Sequence, residues 1–151
     1  MSDEDWDWLQ MWRRENARHA KAFPWARDLL AKLSNYDGTD HPVIRLSELP
    51  HAEIILLSVE GRLFPSGRGL FIFRRGAPNR CHQNAARLWK DSDGFIKPCT
   101  GLALAPDGAW RSHSWGLRGR KVVETTVRAV AYFGVVLEDR HAAQFALNEG
   151  V

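Results

Sequence analysis

Four stretches with the composition of β-strands follow one another closely in the last third of the chain. They span residues 96–105, 109–116, 121–126 and 130–137. Valine and aromatic residues in these stretches favour extended backbone. The first connection, Pro106-Asp107-Gly108, is a tight turn, and the second, residues 117–120, is a short loop. Because strands joined by such short connections run antiparallel, the sequence predicts an antiparallel sheet of about four strands.

Helical patterns fill much of the remaining chain. The predicted helices span residues 3–20, 25–33, 47–58 and 139–148, the third next to an ambiguous strand-like stretch at 43–46. In the first helix Trp6, Leu9 and Trp12 recur near one face. Helices followed by a meander of strands are typical of an α+β fold. We expect a single domain over residues 1–151, with a helical part over 1–60 and a core over 61–151.

Composition and length fit a globular protein. The chain has 151 residues, of which 44% are hydrophobic and 26% charged, as in a single domain with a sizeable core. The sequence has no apolar run as long as a membrane span, and it starts with acidic residues where a secretory signal is basic. We therefore expect a cytoplasmic protein, without membrane contact, whose two cysteines are free thiols. The sequence does not predict an oligomeric state.

The stretch Pro78-Asn79-Arg80-Cys81-His82-Gln83-Asn84 places a cysteine where a helix begins. Pro78 cannot continue an upstream helix, Asn79 is a favourable N-cap, and the residues to about Lys90 favour helix. A thiol in the first turn meets free main-chain N–H groups, which favour its ionised, nucleophilic form. Cysteine is also a common buried residue, so the hypothesis of a nucleophile depends on a base nearby.

His113 and Glu124 lie on neighbouring predicted strands. If Gly116 and Lys121 flank a four-residue loop, His113 is directly opposite Glu124. Opposed residues share a face of the sheet and have Cβ atoms about 4.5–5.5 Å apart, so the carboxylate can orient the imidazole. A slip of one residue would put the two side chains on opposite faces.

The first predicted strand contributes small residues to the face of His113, and larger ones point the other way. The small residues are Cys99, Gly101, Ala103 and Ala105, and the opposite face has Leu102, Leu104, Trp110 and Val123. A face of small residues leaves room for a helix end. We therefore expect the helix of Cys81 to pack on the face of His113.

A cysteine at a helix start, a histidine on a later strand and a carboxylate on the next form a nucleophile, a base and a group that orients the base. In this order Cys81, His113 and Glu124 resemble the catalytic core of the papain-like thiol hydrolases over residues 78–137, and the NlpC/P60-like branch is similar in size and element order. The sequence around Cys81 lacks the Asp-Cys-Ser-Gly usual in that branch and the Cys-Gly-Ser-Cys-Trp of papain. Glu124 stands where these families more often have His, Asn or Asp.

The resemblance implies a papain-like core that hydrolyses or transfers the acyl group of an amide, peptide or isopeptide bond without a cofactor. Cys81 would attack the carbonyl carbon, His113 would move the proton, and Glu124 would hold the tautomer of His113. The main-chain N–H of Cys81, with Asn79 or Gln83, would stabilise the oxyanion. Trp115 either shields the base or packs beside it.

Positive charge is concentrated in the half of the chain that contains Cys81. Residues 1–60 have 7 basic and 11 acidic side chains, whereas residues 61–151 have 14 and 7. Near the proposed nucleophile these include Arg74, Arg75, Arg80 and, on the face of His113, Arg111. A positive cleft concentrates anions, so we expect an acidic peptide, protein or amide substrate.

Two other functions are compatible with the sequence. Cys81, His82, Cys99 and His113 are a possible zinc ligand set, although their spacing matches none of the usual zinc motifs. Seven tryptophans and the basic C-terminal half are compatible with a non-enzymatic module or inhibitor that binds protein. The sequence contains no nucleic-acid-binding motif, so a nucleic-acid partner is not expected.

Overall fold

The computed structural model describes the backbone of residues 3–151 and the side chains of Asp7, Trp8 and residues 10–151. Its α-helices are α1 (Asp3–Ala22), α2 (Pro24–Asp37), α3 (His51–Glu60), α4 (Cys81–Asp91) and α5 (Asp139–Asn148). Its strands are β1 (Arg62–Phe64), β2 (Phe71–Phe73), β3 (Lys97–Leu104), β4 (Trp110–Arg118), β5 (Lys121–Glu124) and β6 (Ala131–Val136). The fold is therefore α+β, as the sequence predicts. Trp6 and Leu9 lie outside the described side chains.

The six described strands form one mixed sheet in the order β1-β6-β3-β4-β5-β2. The four central strands are the four predicted ones, and they are antiparallel. The prediction of about four antiparallel strands is wrong at the edges, since β1 adds an antiparallel strand beside β6 and β2 pairs in parallel with β5. Pairing of β2 with β5 brings the chain just before Cys81 beside Glu124.

The N-terminal helices differ from prediction at their ends. Pro24 occupies the first turn of α2, where its missing N–H costs nothing, and α2 continues to Asp37 before Gly38 ends it in a left-handed conformation. The predicted strand at residues 43–46 is reduced to a single bridge between Val43 and Ala109. None of the described helices is both long and apolar enough to cross a lipid bilayer.

The two faces of the sheet have separate cores. On one face, side chains from α2 and α3 pack with Leu102, Leu104 and Trp110. On the other, Phe64 of β1 meets Trp115 of β4 with ring centroids 5.5 Å apart. In a flat sheet these strands would be about 14 Å apart, because neighbouring strands are spaced by about 4.8 Å. The sheet is therefore curled, and His113 lies inside the curl with Trp115.

Helix α4 packs on the outer face of the sheet. Its Leu88 lies 3.1 Å from the position of a Cβ built on Gly116, and its His82 contacts Ser114. Gly116 and Ser114 alternate with His113, so they point to the face opposite to that of His113. The prediction that the helix packs on the His113 face is therefore wrong. The absence of a side chain at Gly101 makes room for β6 and α3, not for α4, since its Cβ would lie 2.4 Å from Phe133 O and 3.2 Å from Leu57 Cδ2.

Candidate active site

Cys81 is the first residue of α4, as the sequence predicts. Arg80, and not Asn79, is the N-cap, and no side chain caps the helix. Asn79 instead has a φ of 58°, a left-handed conformation that Asn tolerates better than most residues. The first main-chain bond of the helix joins Asn84 N–H to Arg80 O at 2.8 Å. The N–H groups of the first turn therefore remain available to an anion next to Cys81.

Glu124 meets His113 across a register different from the predicted one. The hairpin pairs Arg118 with Lys121 and Gly116 with Val123, which places Glu124 opposite Trp115. His113 is thus a diagonal neighbour of Glu124, and the prediction of direct opposition is wrong by two positions. An even shift keeps both side chains on the same face. The two residues are hydrogen-bonded, with His113 Nε2 2.7 Å from Glu124 Oε1.

Glu124 is a fully buried carboxylate surrounded by donors. Its Oε1 also accepts a bond from the Tyr132 hydroxyl at 2.9 Å. Its Oε2 accepts from the main-chain N–H groups of Thr125 at 2.8 Å and Thr126 at 3.0 Å. Burial raises the pKa of this carboxyl, but the bonds from His113, Thr126 and Tyr132 outweigh it, so the pKa is lowered. Glu124 is therefore a fixed anion that orients His113.

Cys81 reaches His113 at the edge of β4. Strand β5 pairs with β4 only over Gly116–Arg118, so the preceding part of β4 has no described strand on that side. Although α4 lies on the outer face, the thiol shares a cleft with His113 of the inner face, and His113 and the main-chain N–H of Ser114 both lower its pKa. Since Nε2 of His113 is bonded to Glu124, its Nδ1 is the atom left for the thiol.

The pKa values of the pair favour an ionised thiol. Burial raises the pKa of Cys81, but hydrogen bonds with His113, His82 and Ser114 outweigh it and lower the pKa to about 6. Burial lowers the pKa of His113, but hydrogen bonds with Cys81 and Glu124 outweigh it and raise the pKa to about 9. Between these two pH values the thiolate and the imidazolium coexist. This is the charge state of an activated cysteine nucleophile.

A cleft of about 520 Å³ opens beside the thiol. It is lined by Arg75, Gly76, Pro78, Asn79, Cys81, His113, Thr125, Thr126 and Val127. This size is within the usual range for a small-molecule or side-chain site. Arg75 is its only lining residue with a permanent charge, and none of the lining residues is acidic. The cleft is therefore open to substrate on the side where Cys81 and His113 meet.

The other predicted site residues are spread over the surface. Gln83 donates to Glu149 O at 3.3 Å and does not line the cleft, so its predicted oxyanion role is not supported by its position. Arg80 is exposed and reaches Gln83 Oε1 at 3.5 Å. Arg111 forms a salt bridge with Asp107 and lines a different pocket.

Of the two remaining predicted residues, one faces solvent and one the core. Arg74 is exposed outside the cleft, and its main-chain N–H bonds to Glu124 O at 2.8 Å. Trp115 is fully buried, and its ring is nearly parallel to that of His113, with centroids 6.2 Å apart. Trp115 therefore packs under the base and does not line the cleft.

Of the four proposed zinc ligands, Cys99 lies apart from Cys81, His82 and His113. Cys99 is fully buried in the inner core with Trp115, and burial raises the pKa of its thiol. Cys81 instead lines the cleft at the sheet edge. Among the described side chains, no three of His, Cys, Asp or Glu are grouped so as to hold a metal ion. The zinc alternative therefore has no support in the described structure.

Three polar residues of the site were missed from the sequence, and a fourth, His82, was considered only as a zinc ligand. Tyr132 bonds Glu124, while His82, Ser114 and Thr100 form a connected set at the start of α4. Ser114 directly follows His113, and period-two alternation places its side chain on the opposite face of the strand. This neighbouring position was the signal in the sequence that could have identified Ser114. Tyr132 carried no local signal, because its position depends on the pairing of β6 with β3.

Comparison of the chain with protein-family models, with curated proteins and with solved structures found no match.

Proposed function

We propose that the protein is a cysteine-nucleophile hydrolase or acyl transferase that acts on an amide, peptide or isopeptide bond. The observation that carries this proposal is the position of His113, which joins the thiol of Cys81 to the buried carboxylate of Glu124. A nucleophile, a base and a group that orients the base define this class of site wherever it occurs. The curled sheet with a cysteine-bearing helix at its edge is compatible with a papain-like core.

The reaction follows from the charge state of the pair. The Cys81 thiolate attacks the carbonyl carbon, a C–S bond forms, and the carbonyl electron pair moves to oxygen. When that pair returns, the C–N bond breaks, and the His113 imidazolium gives its proton to the departing nitrogen. Neutral His113 then takes a proton from water or an acceptor amine, which attacks the thioester and releases the thiolate. Glu124 keeps Nε2 protonated throughout.

The oxyanion would be stabilised at the start of α4. The main-chain N–H of Cys81 has no acceptor within the helix, and the positive end of the helix dipole lies beside it. Asn79 lines the cleft next to this N–H, so its side-chain amide is the second candidate donor. Donors fixed in advance toward the developing charge are a large contribution to catalysis of acyl transfer.

The cleft favours a substrate with an acidic group near the bond that is cleaved. Arg75 lines it, and no acidic lining residue opposes this charge. Glu124, the carboxylate of the triad, is fully buried and accepts hydrogen bonds from five donor groups. A positive charge at the mouth of a cleft raises the local concentration of anions.

The test is the reactivity of the thiol as a function of pH. We expect iodoacetamide to label Cys81 at a rate that rises through about pH 6, and to spare buried Cys99. With p-nitrophenyl acetate we expect a burst of one p-nitrophenolate per protein, as the acyl-enzyme forms. For an amide substrate, turnover should fall as pH rises through about 9, because His113 loses the proton that the leaving group needs.

Cys81→Ser and His113→Ala are the variants that decide the proposal. Cys81→Ser should abolish the burst, and His113→Ala should move the alkylation profile to higher pH. His141→Ala, an exposed histidine on α5, is the matched control and should leave both unchanged. Equal labelling of Cys81 and Cys99, or a profile that does not depend on His113, would contradict the proposal.

A further inference from the structure

Two consecutive residues of α4 meet two consecutive residues of β4. Cys81 lies in the cleft with His113, and the next residue of the helix, His82, bonds to Ser114, with His82 Nδ1 2.5 Å from Ser114 Oγ. The Ser114 hydroxyl in turn donates to Thr100 Oγ1 on β3 at 3.0 Å. Nδ1 of His82 and the hydroxyls of Ser114 and Thr100 thus form one continuous chain of hydrogen bonds. We call these three side chains the His82 chain.

The His82 chain ties the start of α4 to the middle of the sheet. Ser114 is fully buried, and β3 and β4 pair directly at Thr100 and Ser114, so the far end of the chain is rigid. The near end needs such a tie, because no side chain caps α4. The other anchor in this region is Asn84, which bonds both main-chain groups of Ala77 at 2.8 and 3.2 Å and so fixes the incoming loop.

The charges around His82 come from four elements. Cys81 precedes it on α4, His113 lies on β4, Glu53 on α3, and Glu149 follows α5. The hydrogen bond with Cys81 is the largest influence, and with the charge of Glu149 it raises the pKa of His82 against burial and His113. His82 can therefore act either as a cation or as a hydrogen-bond donor. The two roles predict that different variants at position 82 keep the reactivity of the Cys81 thiol.

We propose that His82 is a positioning residue, which holds the Cys81 thiol against His113 through its hydrogen bond to Ser114. The inference builds on the proposed function, because it assigns a role relative to the same nucleophile and base. The strand is fixed by its pairing, whereas no side chain caps the start of α4, so the distance between thiol and imidazole depends on the contact that joins helix and strand. The hydrogen bond between His82 and Ser114, one residue further along each element, is the contact that joins them.

The deciding comparison is between two amides at position 82. Asn has its amide nitrogen the same number of bonds from Cα as Nδ1 of His, whereas Gln does not. In the full-length chain, His82→Asn can keep the bond to Ser114 but loses the imidazole that helps to lower the pKa of Cys81, so it should move the alkylation profile upward by less than His82→Gln does. His82→Gln and Ser114→Ala should each move it upward by about one pH unit, the effect of weakening one charge-assisted hydrogen bond. The double variant should move it no further, since both changes break the same bond.

If Ser114→Ala does not fold, Thr100→Val is a second way to break the His82 chain of hydrogen bonds. It should shift the alkylation profile in the same direction. Circular dichroism confirms folding, and His141→Gln is the control for loss of an exposed histidine. If His82→Asn shifts as much as His82→Gln, or if Ser114→Ala and Thr100→Val leave the profile unchanged, the positioning role is refuted. If His113→Ala itself leaves the profile unchanged, the proposed function fails instead.

Discussion

Replacing Glu124 with Gln tests the site most directly, because every polar partner of this side chain is a donor. Oε1 accepts from His113 and Tyr132, and Oε2 from Thr125 and Thr126. A glutamine has one acceptor oxygen and one NH2 group. If its oxygen keeps the two main-chain N–H groups, its NH2 faces His113 and requires an unprotonated Nε2. The change thus selects the wrong tautomer of the base.

The magnitude follows from the bond that is lost. A hydrogen bond to a charged group contributes about 1.5–3 kcal/mol. At 1.36 kcal/mol per pH unit this corresponds to roughly one to two units of pKa. The pKa of His113 should therefore fall from about 9, and the pKa of Cys81 should rise from about 6, since the thiolate loses part of its imidazolium partner. The two groups titrate as a coupled pair, so the profile reports on both.

The assay is the rate of alkylation by iodoacetamide between pH 4 and 10, with circular dichroism to confirm that Glu124→Gln is folded. We expect the rising limb to move upward by roughly one to two pH units. Glu138→Gln is the matched control, because Glu138 is an exposed carboxylate paired with Lys97. A folded Glu124→Gln protein with the wild-type limb would refute the role of Glu124 in orienting and charging His113.

Two further changes separate recognition from packing. Arg75→Glu should lower the rate with anionic iodoacetate relative to neutral iodoacetamide by about fivefold, since reversing one charge at roughly 8 Å in water changes the energy by about 1 kcal/mol. Salt should weaken this effect. Arg74 lies outside the cleft, so Arg74→Glu is the control and should not show it. The same ratio of iodoacetate rate to iodoacetamide rate in both variants would exclude steering by Arg75. Gly101→Ala should reduce the free energy of unfolding by about 1–3 kcal/mol in urea, because its Cβ would lie 2.4 Å from Phe133 O. Gly67→Ala, with no atom within 4 Å, is the control, and equal stability of the two variants would contradict this packing.

The sequence predicted the parts of the site that depend on local rules. Pro78 and the helix formers after it located the start of α4 at Cys81. Alternation along the two strands placed His113 and Glu124 on one face. This result held despite an error in the loop, which has two residues rather than four because Arg118 pairs with Lys121. An error of one residue would have removed Glu124 from the site.

What the sequence did not predict depends on contacts between distant parts of the chain. Strand β2 pairs with β5 about fifty residues later, and a three-residue strand has little pattern of its own. The small residues Gly101 and Ala103 predict α4 on the inner face. The ring of Trp115 lies there instead, 2.8 Å from the position of a Cβ on Gly134, which pairs with Gly101. The outer face receives α4 instead, where Gly116 admits Leu88.

The observed register also explains why the third residue of the site is a glutamate. Side chains directly opposite each other have Cβ atoms about 4.5–5.5 Å apart, whereas diagonal neighbours are about 7–8 Å apart. His113 and Glu124 are diagonal, so the carboxylate has to cover the longer distance, and it does so at 2.7 Å from Nε2. An Asp or Asn at position 124 is one methylene shorter and would leave a gap at His113. The same length lets Oε2 turn back to the N–H groups of Thr125 and Thr126, which hold the carboxylate in place. The glutamate at position 124, in place of an Asp or Asn, is thus a consequence of the register of the hairpin. The residue type and the register both support the proposal that His113 is the base.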